Sequence, residues 1–191
     1  MTYDHLVSEA IAFVPFDSFL DQEGTSERRH ELVGGRVYAQ AGGSERHDLT
    51  AGLVYEILAV GARAARCRPF AANRLLRTPS GNAYYPDVMV VCGQAAHRLY
   101  ETSASLIVEV LSPSTADVDR REKAVAYSEL PELQQLLLVH PDVRRIEVAD
   151  PAEGSIHRWA AFGPGDLVRT AYGDIVIDAL YDAVDRTATT P

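Results

Sequence analysis

Two short runs constrain this chain more than anything else in it. YYPDVMVV at 84–91 and SLIVEVL at 105–111 are almost continuously apolar. A strand with one wet face alternates polar and apolar residues; these do not, so they belong at the centre of a sheet covered on both faces. Each run nevertheless holds one acid: Asp87, directly after Pro86, and Glu109, inside Leu106–Leu111. A buried carboxylate is costly unless it is paired, and one metal ion serves two of them. The competing readings are structural: an acid after proline serves in a turn, and an acid in an edge strand faces water.

Around these runs the pattern is mixed. Ser8–Leu20 is amphipathic and reads as a helix that Pro15 interrupts. Arg29–Val33 and Arg36–Gln40 flank Gly34-Gly35 and read as a hairpin, because paired glycines tolerate positive φ. Ser44 is a helix N-cap, and Leu49, Leu53, Ile57 and Val60 mark the buried face of a long helix over Arg46–Arg66. Strands are expected at Pro69–Thr78, Tyr84–Val91 and Ser105–Leu111. Ser112-Pro113 ends the last, and Asp119 with Glu122 forms an acidic capping box for a helix to Leu130, before Pro131. A buried strand follows at Gln134–Val139, then a terminal hairpin of Arg144–Ala149 and Ser155–Ala161. The sum is a mixed sheet with helices on its faces.

The 191 residues suit a single domain spanning 1–191, with a frayed tail at Thr187–Pro191. No apolar run approaches the ~20 residues that cross a bilayer, and the N-terminus lacks the basic and small-residue marks of a signal peptide. Cys67 and Cys92 form no CxxC and make a poor disulfide framework or zinc site, so a cytoplasmic location is the default. The net charge of −9 argues against a simple nucleic-acid binder, although Arg63, Arg66, Arg68, Arg74 and Arg77 form a local basic stretch. That stretch also reads as a solvated helix end and strand face.

Adjacent strands lie ~4.8 Å apart, so Asp87 and Glu109 at matching heights are placed to share one ion. Oxygen ligands suit Mg²⁺ or Mn²⁺, with a backbone carbonyl such as that of Val110 as a further donor. Lys123 falls in the first turns of the following helix, with Arg120 and Tyr127 on its stripe. An ammonium there orients an attacking water or offsets developing phosphorane charge, although an isolated lysine is more commonly a surface residue. Glu31, in HELVGG, offers a third acid against an exposed hairpin position. His47, in the first turn of the long helix, is placed to approach a phosphate or water, against a structural role. The other histidines show no zinc spacing, and no Walker A loop, GxGxxG or nucleophile elbow is present.

These residues carry a resemblance. RHELVGGRV at 29–37, AGGSERH at 41–47, YYPDVMVV at 84–91, LIVEVLSPST at 106–115 and DRREKAVAY at 119–127 occur in the order seen in the Uma-two family. That family is restriction-endonuclease-like, within the PD-(D/E)xK nuclease superfamily, and the resemblance runs from about Phe19 to Tyr181. It implies an α/β (α+β) fold with an αβββαβ core, an extra N-terminal hairpin and C-terminal strands. It also implies a divalent-metal site of Glu31, Asp87 and Glu109. Leu111 stands where the parent motif has its lysine; the family pattern moves that lysine to the next helix, matching Lys123. His47 matches a family position, Asp48 stands where asparagine is common, and His140 replaces a frequent acid. ANRLLR at 72–77 departs from the usual basic strand.

The expected function is Mg²⁺- or Mn²⁺-dependent hydrolysis of DNA phosphodiester bonds by Glu31, Asp87, Glu109 and Lys123. His47, Arg77, Arg120 and Tyr127 are expected at the substrate, and a homodimer supplies two sites for two strands. The alternatives are a silent nuclease-fold module that binds nucleic acid or a protein, and a carboxylate-pair hydrolase acting on a glycoside.

Overall fold

The chain is described by a computed structural model over residues 13–40, 42–112, 119–151, 156 and 158–189. Its centre is the strand β8 (Leu106–Val110), buried at every position. β6 (Val88–Val91) pairs with it antiparallel and β9 (Gln135–His140) parallel. β3 (Arg68–Ala71), β10 (Arg145–Ala149) and β11 (Ala160–Phe162) extend a six-stranded sheet in the order β11-β10-β9-β8-β6-β3. The continuous apolar runs are thus covered on both faces, as their composition requires.

One face carries α2 (Glu45–Ala64) and α4 (Ile177–Thr187), which pack with Val88, Val108 and Val110. The other carries a π-helical turn, Asp119–Lys123, which runs into α3 (Ala124–Ser128) and packs through Ala124 and Tyr127 against Met89 and Ile107. The succession α2-β3-β6-β8-α3-β9 is the αβββαβ core.

The hairpin forms as expected: β1 (His30–Val33) pairs with β2 (Arg36–Ala39) across Gly34 and Gly35, at φ 55° and 76°. It does not join the large sheet. A second, five-stranded sheet has the order β2-β1-β5-β4-β7, with β4 (Leu75–Arg77), β5 (Ala83–Tyr84) and β7 (Tyr100–Glu101). Two stretches expected as single strands are therefore divided between sheets. Pro69–Thr78 breaks at Ala72, whose φ is 43°, and Tyr84–Val91 breaks at Tyr85-Pro86-Asp87. Pro86 has no N–H to give a ladder, so the chain turns there and passes from β5 to β6. The two breaks are stitched together by the Ala72 N–H donating to the Asp87 carbonyl at 2.9 Å.

Other expectations shift. The first helix, α1 (Phe16–Glu23), begins after Pro15; positions 8–12 lie outside the described residues. The buried stripe of α2 is Thr50, Val54, Leu58 and Ala62, while Val60 is 72% exposed. Leu53 and Ile57 flank that stripe. The helix rotates because its small residues admit close neighbours: an added Cβ at Gly61 would collide with the Tyr172 carbonyl. The capping box and the start of the last hairpin rest on side chains and residues outside those described. α4 was not foreseen, although Ile177, Leu180, Tyr181 and Val184 follow helical spacing and are all buried. Its end is tethered by Thr189 Oγ1, which donates to Glu45 at 2.7 Å. The strand register also sets Cys67 opposite Cys92, and a disulfide joins the two cysteines that the sequence offered only as a poor disulfide framework.

Candidate active site

The corner between the sheets sets the site. The last paired rung of β6 and β8 is Val88 with Val108, and one step beyond it stand Asp87 and Glu109. Val88 and Val108 face α2, so alternation turns both acids to the face carrying Lys123 and Tyr127. The Val110 N–H donates to Asp87 Oδ2 at 2.7 Å, fixing the carboxylate at the end of the ladder.

Glu109 is 3% exposed. The Tyr127 hydroxyl, fully buried, donates to its Oε1 at 2.6 Å. Burial first, then the charges of Glu109 and Glu31, push the Tyr127 phenol well above its ordinary range, so it remains a proton donor. Lys123 Nζ lies 3.6 Å from Glu109 Oε1 and 3.0 Å from Glu31 Oε1, over the Tyr84 ring. Glu31 is further held by the Tyr85 N–H at 3.3 Å. One ammonium therefore bridges acids from both sheets.

His47 arrives from the first turn of α2, whose N-cap Ser44 accepts the His47 N–H at 3.2 Å. Its Nε2 lies 3.4 Å from Asp87 Oδ2 and its Nδ1 3.1 Å from Asp48 Oδ1. The bond to Asp87, supported by Asp48, outweighs burial and pushes the imidazole up to about 9. Gly43 makes room for this ring, since a Cβ there would lie 2.5 Å from His47 Nδ1.

Glu31, His47, Asp87, Glu109 and Lys123 line one cavity of about 350 Å³, together with Tyr38, Tyr85, Gly42, Gly43 and Glu122. Among the described residues, no three His, Cys, Asp or Glu side chains converge closely enough to hold a metal ion as they stand. Tyr127 lies behind Glu109, not at the cavity wall. Arg77 stacks over Phe16 at 4.3 Å and is not among the lining residues. The Arg120 side chain lies outside those described. Part of the basic stretch is not free: Arg68 and Arg74 bind Glu101, while Arg63 donates to the Tyr55 hydroxyl. Sequence reading missed Tyr38, Tyr85 and Glu122 at the cavity. Tyr85 and Glu122 had a usable sign, each being next to a residue already singled out.

The fold and the sequence resemble those of known proteins. The crystal structure titled a putative nuclease belonging to DUF820, from Anabaena variabilis, superposes with a TM-score of 0.76 over 90% of this chain and 99% of that one, at 16% identity. An uncharacterized Synechocystis protein is 29% identical over 134 residues, covering 68% of this chain and 76% of its own. A second from that organism is 30% identical over 126 residues, covering 64% of this chain and 66% of its own. The profile described as Uma2, putative restriction endonuclease, matches residues 16–170. The chain thus belongs to the Uma2 family.

Proposed function

We propose that this protein is a divalent-metal-dependent endonuclease that hydrolyses DNA phosphodiester bonds. The observation that carries the reading is the bridge from Lys123 to Glu31 and Glu109, within a cavity that also holds Asp87. The similarity to a nuclease fold and the family description support it.

The donor set fits a hard cation: three carboxylates from two sheets, without a thiolate in the cavity. Glu31, Asp87 and Glu109 would hold Mg²⁺ or Mn²⁺. Such an ion lowers the pKa of a bound water and offsets phosphate charge. The chain's own groups do the rest. Lys123 donates to the attacking water or to the oxygens gaining charge. Protonated His47 keeps Asp87 oriented and adds positive charge at the cavity wall. Tyr127 holds Glu109 in one rotamer through its hydroxyl. A twofold dimer would carry two such sites.

The test is cleavage of plasmid and of single-stranded DNA in Mg²⁺ or Mn²⁺ against chelator. Wild type nicks or cuts, and Glu109→Ala and Lys123→Ala do not. Equal cleavage by all three sinks the assignment. One observation favours a second reading, a silent binding module: no three ligating side chains are preassembled among the described residues. Metal-independent, salt-dependent DNA binding without cutting would select it.

A further inference from the structure

We infer that Tyr38 is a stacking platform for an unpaired base, and that the substrate class is single-stranded nucleic acid. This deepens the nuclease reading and rests on it. Tyr38 lies on β2, the edge strand of the five-stranded sheet, directly across the hairpin from Glu31. Opposite residues of a rung share a face with Cβ atoms ~4.5–5.5 Å apart. The ring therefore stands beside the carboxylate that receives Lys123. Tyr38 is 50% exposed and lines the cavity, and its side chain makes no hydrogen bond or ring contact among the described residues. Tyr85, the other aromatic in the wall, is unlike it: it is buried, with its hydroxyl donating to Glu23 at 3.0 Å.

Charge selects the kind of strand. The lining holds four carboxylates, Glu31, Asp87, Glu109 and Glu122, against Lys123 and His47. A duplex gripped by its phosphates needs an extended basic face, and two arginines of the basic stretch, Arg68 and Arg74, are already bound to Glu101. Affinity must then come from a term that charge does not control, and base–aromatic stacking is such a term. A strand whose bases are already unpaired offers its π-face without the cost of opening a duplex.

The test uses oligonucleotides carrying 2-aminopurine, single-stranded or annealed. Binding is followed by fluorescence quenching in Ca²⁺, and cleavage separately in Mn²⁺. Wild type should bind the single strand more tightly, with quenching. Its log K against log salt should be shallow, about −1.4 for two phosphate contacts at −0.7 each. Tyr38→Ala should weaken binding by roughly 5- to 150-fold, the span expected for losing one stacked base, while Tyr38→Phe and Tyr38→Trp keep it. Duplex preference with Tyr38→Ala equal to wild type overturns this inference and leaves the nuclease reading standing. Failure of wild type to bind or cut any nucleic acid overturns both. A dimer that Tyr38→Ala converts to monomer, with affinity per site unchanged, makes Tyr38 an assembly contact and also overturns it.

Discussion

Two buried carboxylates in this protein have opposite surroundings. Glu101, 1% exposed, is closed in by two guanidiniums. Arg68 reaches both its oxygens at 2.8 and 3.0 Å, and Arg74 reaches Oε1 at 2.7 Å. Both arginines also lie over the Phe70 ring, and Arg74 ties down the carbonyls of His97 and Arg98. Glu109, 3% exposed, shares one ammonium with Glu31 beside an open cavity that Asp87 and Glu122 also line. Among the described residues, cations outnumber the acid at the first cluster, and acids outnumber cations at the second. Burial of an acid is therefore not in itself a mark of chemistry; an excess of acids facing a cavity is.

The largest effect separates the two clusters by activity. Glu109→Gln should reduce DNA cleavage to background, and Lys123→Ala should reduce kcat by about 10²–10³-fold, the scale for losing a charge-stabilising donor. Glu101→Gln, if folded at the assay temperature, should cut like wild type. A Glu101 variant that is folded but inactive would erase the distinction.

Stability should reverse the ranking. Glu101→Gln leaves two guanidiniums without their counter-charge and should cost about 3–5 kcal/mol in urea unfolding. Glu109→Gln in chelator should move the midpoint little, because the amide still accepts from Tyr127 and the acid-rich cluster loses one charge. Comparable losses in both variants would mean that the two clusters are equally structural.

The two sites also differ in how far they could be read from sequence. Glu109 is visible because its neighbours are all apolar and local. Glu101 gives no sign, since Arg68 and Arg74 lie 33 and 27 residues away: the β4–β7 pairing brings Arg74 to it, and Arg68 arrives from β3 of the other sheet. For the same reason those arginines looked like a basic face. The division of Tyr84–Val91 between sheets was hidden by unbroken apolarity, although Pro86 marks the spot. Lys123 and Glu31 stand in ordinary polar contexts, so local pattern offers them only as candidates beside surface readings, and the family resemblance adds the weight. On α2 the large apolar residues suggested the buried face, yet close packing around the small residues decided it.

Tyr127 lets the Glu109 side of the comparison be tuned without changing charge. Tyr127→Phe removes the 2.6 Å bond and nothing else of the ring. A hydrogen bond to a charged group contributes about 1.5–3 kcal/mol, so unfolding in chelator should shift by that amount. By calorimetry, Mn²⁺ affinity should fall about 10–100-fold, the usual cost of losing a group that orients a ligand. Unchanged Mn²⁺ affinity would show that Glu109 needs no such support.

The smallest effect is in pH, and there the clusters act at opposite ends. Burial pushes the Glu101 carboxyl up, but the bonds and charges of Arg68 and Arg74 overcome it and hold the group below its ordinary 4.5. Its contribution is present above that value and is lost as pH falls through the lowered one. His47 is the reverse, raised from 6.5 to about 9 chiefly by its hydrogen bond to Asp87. Its contribution is full below 6.5 and disappears as pH rises through about 9, with a slope of at most about 1.4 kcal/mol per pH unit for one proton. In chelator, Glu101→Gln should remove the acid limb and His47→Gln the alkaline one, each followed by urea midpoints across pH. Mn²⁺ then sharpens the contrast. A cation held by Asp87 opposes protonation of its imidazole neighbour, so the alkaline limb should move to lower pH. The Glu101 limb, whose charges are already balanced, should stay where it is. An alkaline limb that ignores Mn²⁺ would place the ion away from Asp87.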